Sequence, residues 1–224
     1  MKKGLILAVA TGLTILLAAA SVSATPIGPT LSLDDGTHVM TIEDNGPHDS
    51  SPIAGIVAFA GPFYEWFLTV DIGISTASGG TPYMHLNSLD STFFGAGTLT
   101  VMLTDFITTP WSGPGARVSV GGAFGGHGDS ATFMTMVNGI DVSTLNFNTS
   151  SGLGFSGNDA FYYEPTGDDM LQLCAILTHP WSIVNVSSFD YAVTPVPEPG
   201  TFVLFGAAFF SLAVYGKRRA YRRT

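Results

Sequence analysis

Glu65-Trp66-Phe67-Leu68-Thr69-Val70-Asp71-Ile72-Gly73-Ile74-Ser75 is the stretch that decides the fold. Trp66, Leu68, Val70, Ile72 and Ile74 alternate with Glu65, Phe67, Thr69, Asp71 and Gly73. Successive side chains of an extended backbone point to opposite faces, so this period of two predicts a β-strand with one apolar face. The run 98–106 repeats the pattern: Leu99, Val101 and Leu103 face one way, and Thr98, Thr100, Met102 and Thr104 the other.

Outward from these two strands the chain reads the same way. Residues 31–33 and 38–43 are β-prone and flank Asp34-Asp35-Gly36, which predicts a hairpin. Residues 43–52 read as a loop, and 53–60 as a strand ended by Gly61-Pro62. Further strand-like runs are 117–120, 132–137, 145–147, 160–163, 171–178, 183–186 and 189–193. Turn-rich segments separate them at 78–82, 110–115, the Gly-rich 121–128, and Asn138-Gly139. No segment between 25 and 196 sustains a helical period with caps. The expected fold is all-β: an antiparallel sandwich or jelly roll of roughly eight to eleven strands. A barrel is the second choice.

The two ends differ from this middle. The chain is 46% hydrophobic and 11% charged, an average inflated by an apolar segment at each end. Met1-Lys2-Lys3, the apolar stretch 4–20 and small residues at Val22 and Ala24 predict a secretory signal peptide over 1–24. Signal peptidase is expected to cut between Ala24 and Thr25. At the other end, the apolar run 201–215 precedes Lys217, Arg218, Arg219, Arg222 and Arg223. As a helix it would span about 22 Å, short of the hydrocarbon core, with snorkelling basic residues making up the difference. The basic cluster is expected to stay in the cytoplasm as a stop-transfer signal. Both ends then agree on one topology, with residues 25–196 extracytoplasmic.

Between 25 and 196 the only Lys or Arg is Arg117, set against 16 Asp and Glu, a formal charge of −15. Such a surface repels polyanions, which excludes nucleic acid as a partner. Cys174 is the only cysteine, so no internal disulfide exists. Its apolar surroundings, 170–177, predict a buried small hydrophobe rather than a nucleophile.

Chemistry-bearing clusters are sparse. His38, His48, His85, His127 and His179 show no zinc-type spacing. Gly128-Asp129-Ser130 beside His127 lies in a Gly-rich β loop rather than a strand-to-helix elbow, and 154–158 misses the last glycine of that motif. No catalytic residue or resident cofactor is expected. Calcium is the one candidate ion, at Asp34-Asp35-Gly36, Glu43-Asp44-Asn45-Gly46 and Gly157-Asn158-Asp159, which ordinary Asx turns explain as well. Tyr64, Tyr83, Trp111, Tyr162, Tyr163 and Trp181 are candidates for stacking on sugars.

Residues 194–199 hold three alternating prolines, expected to form a stiff spacer that holds Glu198 clear of the folded domain. Val196-Pro197-Glu198-Pro199-Gly200, the apolar run and the basic cluster together resemble the PEP-CTERM sorting signal of Gram-negative bacteria. The resemblance covers roughly 195–224 and divides the chain into a signal peptide (1–24), an exported β domain (25–194) and a sorting signal (195–224). It implies that Pro197, Glu198 and Pro199 are recognised by an exosortase, which cuts nearby and releases or transfers the domain. It further implies display at the cell surface or in an extracellular matrix, with exopolysaccharide and biofilm. Within that setting a structural or adhesive protein in contact with extracellular polysaccharide is the first expectation. The alternatives are a carbohydrate- or calcium-binding module sent by the same route and, third, a secreted hydrolase.

Overall fold

Strict alternation leaves each strand one apolar face, and two such sheets bury those faces by packing together. The computed structural model describes residues 28–73, 84–94, 96–107, 115–163, 169–180, 184–196 and 204–211. Twelve strands lie among them. In order they are β1 (Thr30–Asp34), β2 (Val39–Glu43), β3 (Ala58–Phe63), β4 (Trp66–Gly73), β5 (Met84–Phe94) and β6 (Gly97–Ile107). Then come β7 (Gly115–Phe124), β8 (Ser130–Val137), β9 (Ile140–Asn148), β10 (Gly154–Tyr162), β11 (Asp169–His179) and β12 (Val184–Pro195). They form two six-stranded sheets, ordered β2-β1-β6-β11-β8-β9 and β10-β7-β12-β5-β4-β3. Every strand pairing is antiparallel. The sandwich is as expected, with one strand more than the upper expectation.

Four details correct the sequence reading. β3 starts only at Ala58 and runs through Gly61-Pro62, pairing them with Leu68 and Phe67. It is an edge strand, where a missing ladder N–H is tolerated. β7 continues through Gly121 and Gly122 instead of ending at Val120. Residues 184–186 of the first run and 189–193 of the second belong to one strand, β12, which also takes in Thr194 and Pro195. The spacer therefore does not begin at 194. β5 is a strand the sequence did not signal. Its inward positions are Met84, Leu86 and the polar Ser88, and a bulge at Leu89 breaks the alternation.

The core lies between the sheets. Trp66, Leu68 and Val70 of β4 are buried, as are Leu99, Val101 and Leu103 of β6. Burying each such side chain contributes roughly 1.5–3 kcal/mol. The Phe133 ring on β8 is the centre of an aromatic cluster, 5.2 Å from Phe189, 5.3 Å from Tyr191, 5.8 Å from Phe155 and 6.0 Å from Phe147. Phe147 on β9 and Phe155 on β10 stack at 4.8 Å and close the lateral edge where one sheet passes to the other. Across the middle, the Tyr191 hydroxyl and Thr135 Oγ1 hydrogen-bond at 2.6 Å, joining β12 to β8. Burial pushes the Tyr191 hydroxyl pKa upward, so the bond stays between neutral groups.

The registers also fix which loops share an end. β1 leads to the turn 35–38, β3 to the turn 64–65, and β7, β9 and β11 finish at the same end. The described chain enters and leaves at the opposite end. There Pro29 O accepts from Asp44 N, and Val196 N donates to Gly115 O at 3.0 Å.

Candidate functional site

Two regions can carry function: the tail that leaves the sandwich, and the corner farthest from it.

β12 delivers the chain directly into the tail. Pro195 still pairs with Ala116, and Val196 is still tied to the sheet. Ala24, Thr25, Pro197, Glu198, Pro199, Lys217, Arg218, Arg219, Arg222 and Arg223 lie outside the described residues. Of the run 201–215, residues 204–211 form a short helix with Leu204, Phe205, Phe209 and Phe210 all exposed. Among the described residues no helix is long and apolar enough to cross a membrane.

At the far corner the two lateral hairpins meet across the sandwich. The β1–β2 turn supplies His38 and the β3–β4 turn supplies Tyr64. Their rings stack with centroids 3.4 Å apart and planes 13° apart. Phe63 meets the Tyr64 ring edge-on at 5.3 Å. His38 is positioned by Asp35, whose Oδ2 lies 3.1 Å from the ring Nδ1. Asp35 Oδ1 accepts the backbone N–H groups of Thr37 and His38. Burial opposes the Asp35 charge, but the backbone N–H and ring of His38 and the Thr37 N–H outweigh it and lower its pKa. Tyr64 remains 62% exposed.

The remaining candidates fall apart or turn inward. His127 is exposed, whereas Asp129, two residues on, is fully buried. Asp129 instead pairs with His179, Oδ1 to Nδ1 at 2.9 Å, and both side chains are out of reach of a substrate. Gly154-Phe155-Ser156-Gly157-Asn158 lies within β10, not on an elbow. His85 is bonded to Asp190. Cys174 is buried as expected, and burial pushes its thiol pKa up to about 11.

The calcium candidates already hold protein donors, and Gly157-Asn158-Asp159 lies within strand β10 rather than in a turn. Asp34 Oδ1 accepts from Gly36 N, and Asp44 Oδ2 from Gly55 N. Asp159 accepts from Ser143 Oγ and Ala160 N, which lower its pKa. These three clusters do not converge, and no group of three metal-binding side chains occurs among the described residues. Among the aromatic candidates, Tyr64 and Tyr162 are exposed and Tyr163 is half-buried. Tyr83, Trp111 and Trp181 lie outside the described residues. The sequence treated His38 and Tyr64 separately. The Asp35-x-x-His38 spacing was the one available trace of the cluster, and the partner 26 residues on comes from the other sheet.

Residues 195–219 match the profile of the PEP-CTERM protein-sorting motif. The chain carries a PEP-CTERM sorting signal. A PEP-CTERM tail implies secretion and C-terminal processing by an exosortase. No curated protein matches the chain. Among solved structures, the β domain of this PEP-CTERM chain is similar to the carbohydrate-binding module CBM36 in complex with calcium and xylotriose. Identity is 19% over 47% of this chain and 79% of that one, with a TM-score of 0.30. It is also similar to a CBM36-1 domain of a multidomain xylanase from the hindgut metagenome of Trinervitermes trinervoides, at 12% identity, 48% and 78% coverage and a TM-score of 0.32. TmCBM61 in complex with beta-1,4-galactotriose matches at 9% identity, 59% and 90% coverage and a TM-score of 0.34. Scores this low carry no ligand over to this chain.

Proposed function

We propose that this is an exported, exosortase-sorted protein of the cell surface or extracellular matrix, with an adhesive or structural role among exopolysaccharide, and not an enzyme. The observation that carries the reading is the sorting motif at 195–219, joined without a break to the last strand of a folded β domain. On this reading signal peptidase removes 1–24, the apolar run and basic cluster hold the tail in the inner membrane, and an exosortase then acts at Pro197-Glu198-Pro199. The single basic residue between 25 and 196 supports it, because nearly all positive charge then serves membrane topology. The inward-facing Asp129–His179 pair supports a non-catalytic domain.

Mass spectrometry of the mature protein from cells with and without an active exosortase is the test. The expected mature chain begins at Thr25 and lacks the residues after the sorting motif, and it keeps its tail when the exosortase is absent. An intact Arg223-Thr224 terminus in exosortase-competent cells overturns the reading.

A further inference from the structure

Among the described residues, three non-glycine residues have positive φ: Asn45, Tyr64 and Asn138. Asparagine tolerates this conformation; a bulky aromatic does not. Tyr64 sits at φ +51° in the two-residue turn between β3 and β4, where glycine would be unstrained. The strained position nonetheless holds a large ring that solvent reaches. Such strain in an exposed residue is a pointer to function, and the ring's surroundings supply the chemistry.

One face of Tyr64 lies on His38, and Asp35 fixes His38 in turn. The ring is thus a flat apolar ledge, backed and immobilised before any ligand arrives, which lowers the ordering cost of binding. Beside it in the same turn is the exposed carboxylate of Glu65, whereas Asp35 is taken up by Thr37 and His38 and Asp34 Oδ1 by Gly36 N. Among the described residues no Lys or Arg lies near the Tyr64 ring. Arg117, the only Lys or Arg between 25 and 196, pairs with Ala160 and Thr194 toward the end where the chain exits. An anionic chain would meet carboxylates and no counter-charge at this corner. A neutral sugar meets none of that repulsion: its C–H face suits the ring and its hydroxyls suit the Glu65 carboxylate.

We propose that the His38–Tyr64 corner is a binding site for a neutral polysaccharide, with a pyranose ring stacked on Tyr64 and a hydroxyl donating to the neighbouring Glu65 carboxylate. The corner lies at the end of the sandwich opposite Val196, so a domain held by its tail presents this site outward. The site deepens the adhesive reading and rests on it for its biological setting, but its test does not depend on sorting.

The test is native affinity electrophoresis of the full chain in mild detergent, through gels containing a neutral β-glucan, xylan or galactan, with alginate as the anionic control. The wild type should be retarded by at least one neutral polymer and not by alginate. Tyr64→Phe should keep that retardation. Tyr64→Gly should weaken it at least tenfold while melting no lower than wild type, because glycine relieves the backbone. Three outcomes overturn the proposal: migration unchanged in every neutral gel, retardation by alginate alone, or full retardation in Tyr64→Gly. Self-association in size-exclusion chromatography that Tyr64→Gly abolishes, with no glycan effect, also overturns it in favour of a second copy as the occupant. None of these outcomes bears on the sorting reading, which stands or falls on the mass of the mature C-terminus.

Discussion

Asp35 shows how one side chain can set up a surface. Its two oxygens hold the turn through Thr37 and His38 and hold the His38 ring against which Tyr64 lies. Because its native pKa is lowered from 3.8, its stabilising contribution is fully present above about pH 4. That contribution is lost as the pH falls through the native value. Thermal melts in steps from pH 5 to 2 should therefore show a steeper loss of Tm for the wild type than for Asp35→Asn. Parallel curves would mean that the carboxylate does not hold the turn. The lone cysteine illustrates the opposite limit, a titratable group made inert. At pH 7 a thiol with a pKa of about 11 is ionised in roughly one molecule in ten thousand, and no disulfide partner exists.

At the scale of elements, glycine explains how strands and aromatic rings share the closed lateral edge. A Cβ on Gly122 of β7 would come within 2.3 Å of Ser188 O on β12 and 2.4 Å of the Phe155 ring on β10. A Cβ on Gly157 of β10 would meet the Phe147 ring at 2.7 Å. The rings of β9 and β10 fill the space those side chains would take, and β7 runs on through Gly121 and Gly122 to Phe124 before the loop 125–129. Gly122→Ala should destabilise the domain by about 1–3 kcal/mol, measured by urea unfolding. Adding Phe155→Ala should fail to restore it, since the clash with backbone at Ser188 remains. A neutral Gly122→Ala would remove this account. The β8–β9 hairpin is the counter-example in which local chemistry suffices. Asn138 (φ 52°) and Gly139 (φ 77°) form the two-residue turn that Asn-Gly favours. Asn138 is then tied to β11 by its side chain, which accepts from Met170 N and donates to Asp169.

For the whole molecule, the position of β12 matters most. It is an inner strand of its sheet, paired on both sides, and the sorting motif begins within a residue or two of its end. Glu198 itself lies outside the described residues, two residues beyond the tied Val196, and two extended residues span at most about 7 Å. A six-residue Gly-Ser insertion between Val196 and Pro197 should accordingly speed exosortase cleavage, followed as loss of the tail in pulse-chase. An unchanged rate would show that the enzyme already has full access. The sequence by itself determined the all-β class, because a period of two is local and survives in any context. It likewise determined the Asn-Gly turn, the buried cysteine and the sorting motif, each written in contiguous residues. Only the tertiary structure decided that 184–186 and 189–193 are one strand and that Ser88 faces the core. It also brought Asp129 to His179 and stacked Tyr64 on His38. Those outcomes depend on pairing between segments far apart in the chain, and neither propensity nor spacing records which segments will meet.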